Sequence, residues 1–311
     1  MFRRPGLGPI VPIRADEWWR KPGVDGKMII SEDTSLPSTV DGDIVYRDYS
    51  SLEIDAGKTL TVANRCKGLA ILVRDDCVIE GTLSMTKRGA YQPALPSNDI
   101  FVNKGSPLIW PLTIPSSTPE YCSLRVGAAG GNGSKYTGSP GATGGIGQTG
   151  GGGGGAGTGN DGAGGNGSPG HAFGGGSGGG GASYSYNGAN AAAYGGSGGA
   201  GVDGKGGGGA GNPGGAGSQS GEAGTGGVLI LVVGGDLTIS GTISANGANG
   251  GAGGSTTGGG GGGSGGGRII ILYCGEYLNT GSITANGGAG GTGYKYSGGA
   301  GGAGSISVVK I

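Results

Sequence analysis

Histidine is almost missing from this 311-residue chain, phenylalanine and tryptophan number three each, and charged residues make up 13%. The single histidine, His171, lies in a glycine-rich stretch with no acid nearer in sequence than Asp161, so general acid-base or nucleophilic chemistry finds no partners there. The adjacent acids Asp75 and Asp76 are the one pair among strand-like segments that resembles a glycosidase carboxylate couple. Twenty basic residues balance twenty acidic ones, which leaves no electrostatic footprint for nucleic acid or an anionic membrane. The apolar run Val228 to Val233 is too short to span a bilayer. No apolar segment follows Arg3 and Arg4, so no secretory signal is legible and synthesis in a cytosol is expected. Four cysteines, Cys66, Cys77, Cys122 and Cys274, match neither a metal-ligand spacing nor a dense disulfide framework. They read as small buried hydrophobes, with a Cys66 to Cys77 bridge as the alternative. No cofactor or metal site is expected.

What the chain has is glycine, 87 residues of it. Residues 1 to 126 hold ten glycines and thirty charged residues, whereas residues 127 to 311 hold 77 glycines and ten charges. This divides the sequence into an N-terminal arm (1–40), a β-rich attachment domain ending in a Pro-rich connection (41–126) and a glycine-rich domain (127–311). The arm carries Pro5, Pro9, Pro12, Pro22 and Pro37 around Trp18 and Trp19, the composition of an extended segment with an aromatic anchor for docking.

Beyond Asp43, short runs with period-two alternation read as strands with one buried face: Ile44 to Tyr46, Leu52 to Ile54, Thr59 to Val62, Leu69 to Val73 and Cys77 to Ile79. No segment has a convincing helical period. The most specific signal is an internal repeat of forty residues. Val228 to Gly247 aligns without a gap on Arg268 to Gly287, and each unit reads strand, Gly-acid turn, short strand, Ala-Asn-Gly, then a glycine-rich excursion. Leu69 to Met85 is a degenerate upstream copy in which Asp76 matches Asp236 and Glu276, so these acids read as turn caps.

Glycine-rich excursions have three physical fates. Collagen requires glycine at strictly every third position with abundant proline, and only Pro140, Pro169 and Pro213 follow residue 126. A disordered linker is the outcome that backbone entropy favours. The fixed forty-residue offset argues for the third: extended left-handed helices of three residues per turn, packed by backbone hydrogen bonds between neighbours. The expected fold is therefore all-β with polyglycine, a sandwich or solenoid-like core of short strands carrying a bundle of polyglycine II helices, without substantial α-helix. Side chains return at Tyr136, His171 to Phe173, Ser183 to Asn187 with Tyr184 and Tyr186, at Tyr194, and at Tyr294 and Tyr296. Tyr, Ser, Asn and Gly together have the chemistry of antibody paratopes.

A Trp-bearing N-terminal region followed by a long glycine-rich domain broken by short aromatic segments, with motifs such as Leu237 to Gly247, resembles the glycine-rich adhesins at the tips of long tail fibres in T-even-like bacteriophages. That resemblance implies a non-enzymatic virion protein in which Trp18 and Trp19 serve attachment to other fibre proteins. It implies that Tyr136, Phe173, Tyr184, Tyr186, Asn187, Tyr194, Tyr294 and Tyr296 face a host surface protein or glycan. The alternative expectation is a structural virion component, in baseplate, tail or capsid decoration, whose glycine-rich domain mediates assembly.

Overall fold

In a computed structural model of the chain, the described residues are 23–89 except 41, 43 and 67, and residues 222 and 224–311 except 254–259 and 294–296; the backbone of 99–101, 123–125, 146–147 and 150–151 is also described. All regular structure among them is β, and there is no helix.

The strands follow one another as turns of a coil. The first turn contributes β1 (Lys27–Ile30) and β2 (Thr34–Leu36), the second β3 (Val45–Tyr49), β4 (Ser51–Ile54) and β5 (Thr59–Val62), and the third β6 (Leu69–Val73), β7 (Cys77–Ile79) and β8 (Thr82–Ser84). Two short antiparallel pairs intervene in sequence, β9 (Asp99–Phe101) with β10 (Ser123–Arg125) and β11 (Ile146–Gly147) with β12 (Gly150–Gly151). The coil then resumes with β13 (Val228–Val233), β14 (Leu237–Ile239) and β15 (Thr242–Ser244), continues through β16 (Arg268–Tyr273), β17 (Tyr277–Asn279) and β18 (Ser282–Thr284), and closes on β19 (Ser305–Lys310).

Each full turn, from β3 to β18, lays one strand into each of three five-stranded parallel sheets, to which β1, β2 and β19 add the ends. The orders are β3-β6-β13-β16-β19, β1-β4-β7-β14-β17 and β2-β5-β8-β15-β18. The forty-residue repeat sets the register: Val228 lies opposite Arg268, Leu237 opposite Tyr277 and Thr242 opposite Ser282. Strands from the two compositional halves are direct neighbours, because Leu229 pairs with Leu69 and Leu237 with Cys77. Residues 90 to 221 are thus inserted, in sequence, between two consecutive turns of one coil.

The core is the interior of this coil. Leu69, Ile71, Val73, Leu229, Leu231, Val233, Ile269 and Ile271 point inward from the first sheet, meeting Cys77, Ile79, Leu237 and Ile239 from the second and Leu83 and Ile243 from the third. Cys66 and Cys77 are buried and free, so no bridge joins them. The first sheet is apolar on its outward face also: Ala70, Leu72, Ile230, Val232, Ile270 and Leu272 are buried although their inward neighbours alone belong to the core. Burial on both faces explains why its strands read as unbroken runs such as Val-Leu-Ile-Leu-Val-Val, while the second and third sheets alternate.

Two corners are tight turns. At one, Gly81, Gly241 and Gly281 stack, and a Cβ on Gly241 would sit 2.0 Å from the Gly81 carbonyl oxygen, so the spacing of adjacent turns requires glycine there. At the other, the acids read as turn caps each cap the following turn: the Asp236 N–H donates to Asp76 Oδ1 at 2.9 Å, and the Glu276 N–H to Asp236 Oδ1 at 2.8 Å. The third corner is where the glycine-rich excursions leave and return.

Candidate functional site

From this third corner four extended segments project, two per excursion: 245–253 and 260–267, then 285–293 and 297–304. They belong to no strand, yet they are joined to one another by backbone hydrogen bonds at every third residue. The N–H groups of Gly247, Gly250 and Gly253 donate to the carbonyls of Asn286, Ala289 and Thr292. Within the first excursion, Gly261, Ser264 and Gly267 donate to Gly251, Ala248 and Ala245. Within the second, Gly298, Gly301 and Gly304 donate to Gly291, Gly288 and Ala285. Cross-links between the excursions run from Gly288 to Ser264, from Gly291 to Gly261, and from Gly263 and Gly266 to Gly299 and Gly302. Each segment therefore bonds to more than one neighbour, as a strand in a sheet cannot do along a single edge.

The chemistry of the sequence follows this geometry in steps of three. In 286–293 the order is Asn-Gly-Gly-Ala-Gly-Gly-Thr-Gly, and Asn286, Ala289 and Thr292 are exposed. In 297–304 Ser297, Ala300 and Ala303 hold the same phase. The glycines between them face neighbouring backbone: a Cβ would lie 2.0 Å from the Gly261 oxygen at Gly250, 2.1 Å from the Gly288 oxygen at Gly263, and 1.8 Å from the Gly298 oxygen at Gly290. None of these glycines has positive φ, so close approach demands them. Segment 260–267 is buried throughout and carries one side chain, Ser264, whose hydroxyl donates to the Gly224 carbonyl at 3.0 Å and accepts from the Ala248 N–H at 2.7 Å.

Polar side chains fasten the excursions to each other and to the coil. The Asn286 N–H donates to Asn246 Oδ1 at 2.7 Å and the Ala289 N–H to Asn249 Oδ1 at 2.8 Å. The Asn249 N–H in turn donates to Glu222 Oε2 at 2.8 Å, and Lys87 Nζ lies 2.7 Å from the same oxygen. Partial burial works to raise the Glu222 pKa, but the bonds from Lys87 and Asn249 prevail and hold the carboxyl below its usual range. Lys87 and Glu222 thus clasp the two points at which residues 90–221 depart and rejoin. None of these ladder residues was singled out by aromatic content; the three-residue spacing of Asn, Ala, Thr and Ser between glycine pairs was the available signal.

On the outward side of β3, Asp48 is buried against Arg74, whose Nε donates to Oδ1 at 2.6 Å and whose Nη2 reaches Oδ2, while the Asp48 N–H donates to Asp25 Oδ2 at 2.7 Å. Burial, helped by the Asp48 charge, pushes the Tyr46 hydroxyl up to about 12. Among the described residues no three His, Cys, Asp or Glu side chains gather as a metal site would need. Asp76 is engaged with the Asp236 N–H, in a structural contact.

The residues expected to make contacts, Tyr136, Phe173, Tyr184, Tyr186, Asn187, Tyr194, Tyr294 and Tyr296, and the expected anchors Trp18 and Trp19, lie outside the described residues. Tyr294 and Tyr296 are bracketed in sequence by Gly293 and Ser297, the far ends of two hydrogen-bonded segments. No family profile, curated protein or solved structure matches the chain.

Proposed function

We propose that this is a non-enzymatic phage virion protein, a tail-fibre or tail-tip adhesin in which aromatic loops on a polyglycine II scaffold recognise the host cell surface. The observation that carries the reading is the three-residue hydrogen-bond period linking segments 245–253, 260–267, 285–293 and 297–304. Three residues per turn, no internal hydrogen bonds and bonds to several neighbours are the attributes of a polyproline-II-type helix of glycine. In this reading the parallel coil is a solenoid that anchors the glycine helices at one corner. The helices end in loops whose side chains vary without disturbing the lattice. Variable tips on a rigid scaffold suit recognition.

On this reading Trp18 and Trp19 hold the chain to other fibre proteins, and Tyr136, Phe173, Tyr184, Tyr186, Asn187, Tyr194, Tyr294 and Tyr296 meet a host protein or glycan. The test is adsorption of virions carrying Tyr294→Ala with Tyr296→Ala, or a Ser183 to Tyr194 loop exchanged for another sequence. A changed or lost host range with normal incorporation supports the adhesin. Failed incorporation with unaltered host range supports the second reading, a structural virion component, which the low charge and lattice-forming glycine surfaces also suit.

A further inference from the structure

The coil is closed on itself along three faces, and among the described residues its outermost turn, β16 to β19, has no further strand laid on it. Large hydrophobic side chains exposed among the described residues occur only on its first and last turns: Val24, Ile29 and Val40 at one end, Leu278, Ile306, Val309 and Ile311 at the other. At this turn the inward face is only partly covered by the described residues. Ile306 and Val308 lie in register with the inward Ile269 and Ile271, but Ile306 is 42% exposed and Val308 half-buried. An outermost repeat exposed to water ordinarily carries a polar outer face, and this outermost described turn presents apolar side chains instead.

Strand β19 forms the longest part of that rim. It is an edge strand of six residues, Ser-Ile-Ser-Val-Val-Lys, with one charge, and lacks the proline, bulge or inward charge that blunts natural edges. The Ser305 N–H donates to Gly267 and the Ile311 N–H to Tyr273, so the odd-numbered residues address β16. By the alternation of a strand, the N–H and C=O groups of Ile306, Val308 and Lys310 address the open side.

We infer that this end is a self-association surface on which β19 of a second copy pairs antiparallel with β19 about a two-fold axis at Ser307. That register sets Ile306 opposite Val308 of the second copy, and the reverse. Both pairs then exchange N–H···O=C bonds, and each copy's partly covered inward face is closed by the other. Ser307 meets its own equivalent in a non-hydrogen-bonded pair. A two-fold contact requires a patch complementary to itself, and the charges permit it. Glu276 and Lys310, the exposed charged residues of this turn among those described, lie 3.8 Å apart in one copy, so two such ends meet without net repulsion.

Sedimentation of the whole chain over a hundredfold concentration range tests this, with Val308→Pro and Ile306→Lys alongside. Proline at 308 removes an N–H that faces the open side and leaves the bonds to β16 intact. The wild type is expected to form a dimer, and each variant to be monomeric with a retained melting transition. As a measurement independent of those substitutions, Ser307→Cys is expected to give a disulfide-linked dimer under mild oxidation, while Thr280→Cys in an exposed turn gives none. A wild type that stays monomeric overturns the inference. So does a dimer or filament that persists in both variants, or equal cross-linking at the two cysteine positions.

Discussion

Gly250 and Ala252 are two positions apart and obey opposite rules. A Cβ at Gly250 would stand 2.0 Å from a backbone oxygen of the facing segment, a distance no side-chain movement relieves, whereas Ala252 already carries a Cβ in the phase that faces away. Gly250→Ala and Gly263→Ala are therefore expected to destabilise by about 1–3 kcal/mol or more, as overpacking does. Ala289→Ser, in an exposed position, is expected to change stability by less than about 0.5 kcal/mol. Denaturant titration of the three variants distinguishes them. Tyr46 supplies a second residue-scale prediction. Its hydroxyl titrates near 12 in the folded state against 10.0 for an unperturbed tyrosine, so the folded protein holds the proton more tightly. The stability this contributes is complete below about pH 10 and is lost as pH rises through 12. Phenolate absorbance should show a late-titrating tyrosine that is missing from Tyr46→Phe.

Between turns of the coil, stability rests on ladders in which a side chain of one turn receives the backbone N–H of the next. Asp76 to Asp236 to Glu276 is one such column, and Asn246 and Asn249 to the second excursion are two more rungs. Replacing Asp236 by Ala removes an acceptor from Glu276 and is expected to cost about 1 kcal/mol, while Asp236→Asn keeps an oxygen in place and recovers most of it. Thermal melts of both variants check the difference. The strand components were legible in sequence. Leu237-Thr-Ile239 alternates because one face is buried, and the forty-residue offset from Val228 to Arg268 is also the pairing register. The direction of capping was not legible. An acid after Gly235 reads as a turn cap without saying which turn it serves, and only the stacking of successive turns shows that it serves the following one. Two-faced burial was legible as well, since a strand with one wet face alternates whereas Val228 to Val233 is an unbroken apolar run, and Ile230 and Val232 are buried on the outward side. The exposed phase of Asn286, Ala289 and Thr292 was present in the sequence, but hidden by the abundance of glycine around it.

For the molecule as a whole, composition divides what pairing unites. The sharp change at Val126 suggests an independent glycine-rich unit, yet β13 is bonded on one side to β6 and on the other to β16, and Gly227 donates to the Met85 carbonyl. A fragment of residues 127–311 would leave Leu229, Leu231, Leu237 and Ile243 without the facing turn that buries them. Such a fragment is expected to show no cooperative melt by circular dichroism. The full chain is expected to lose its β and polyproline-II-like signals in one transition, and mixing residues 1–126 with 127–311 should restore part of it. The proposed contact sites depend on loops outside the described residues, so the sequence identifies the aromatic positions and the structure supplies the stems that bracket two of them.

The glycine segments also behave as a text with a reading frame. Because donors recur every third residue and the tolerant position recurs in the same phase, gaining or losing one Gly-Gly-X triplet keeps every remaining contact in step, while gaining or losing a single residue moves Asn, Ala or Thr into positions that admit no Cβ. Since outgoing and returning segments are bonded to each other, a change in one leg calls for an equal change in the other, so loops in natural variants should lengthen by six residues at a time and almost never by one. Length itself then becomes a heritable, quantised trait, free to change the height at which a tip is presented while the coil below is left untouched.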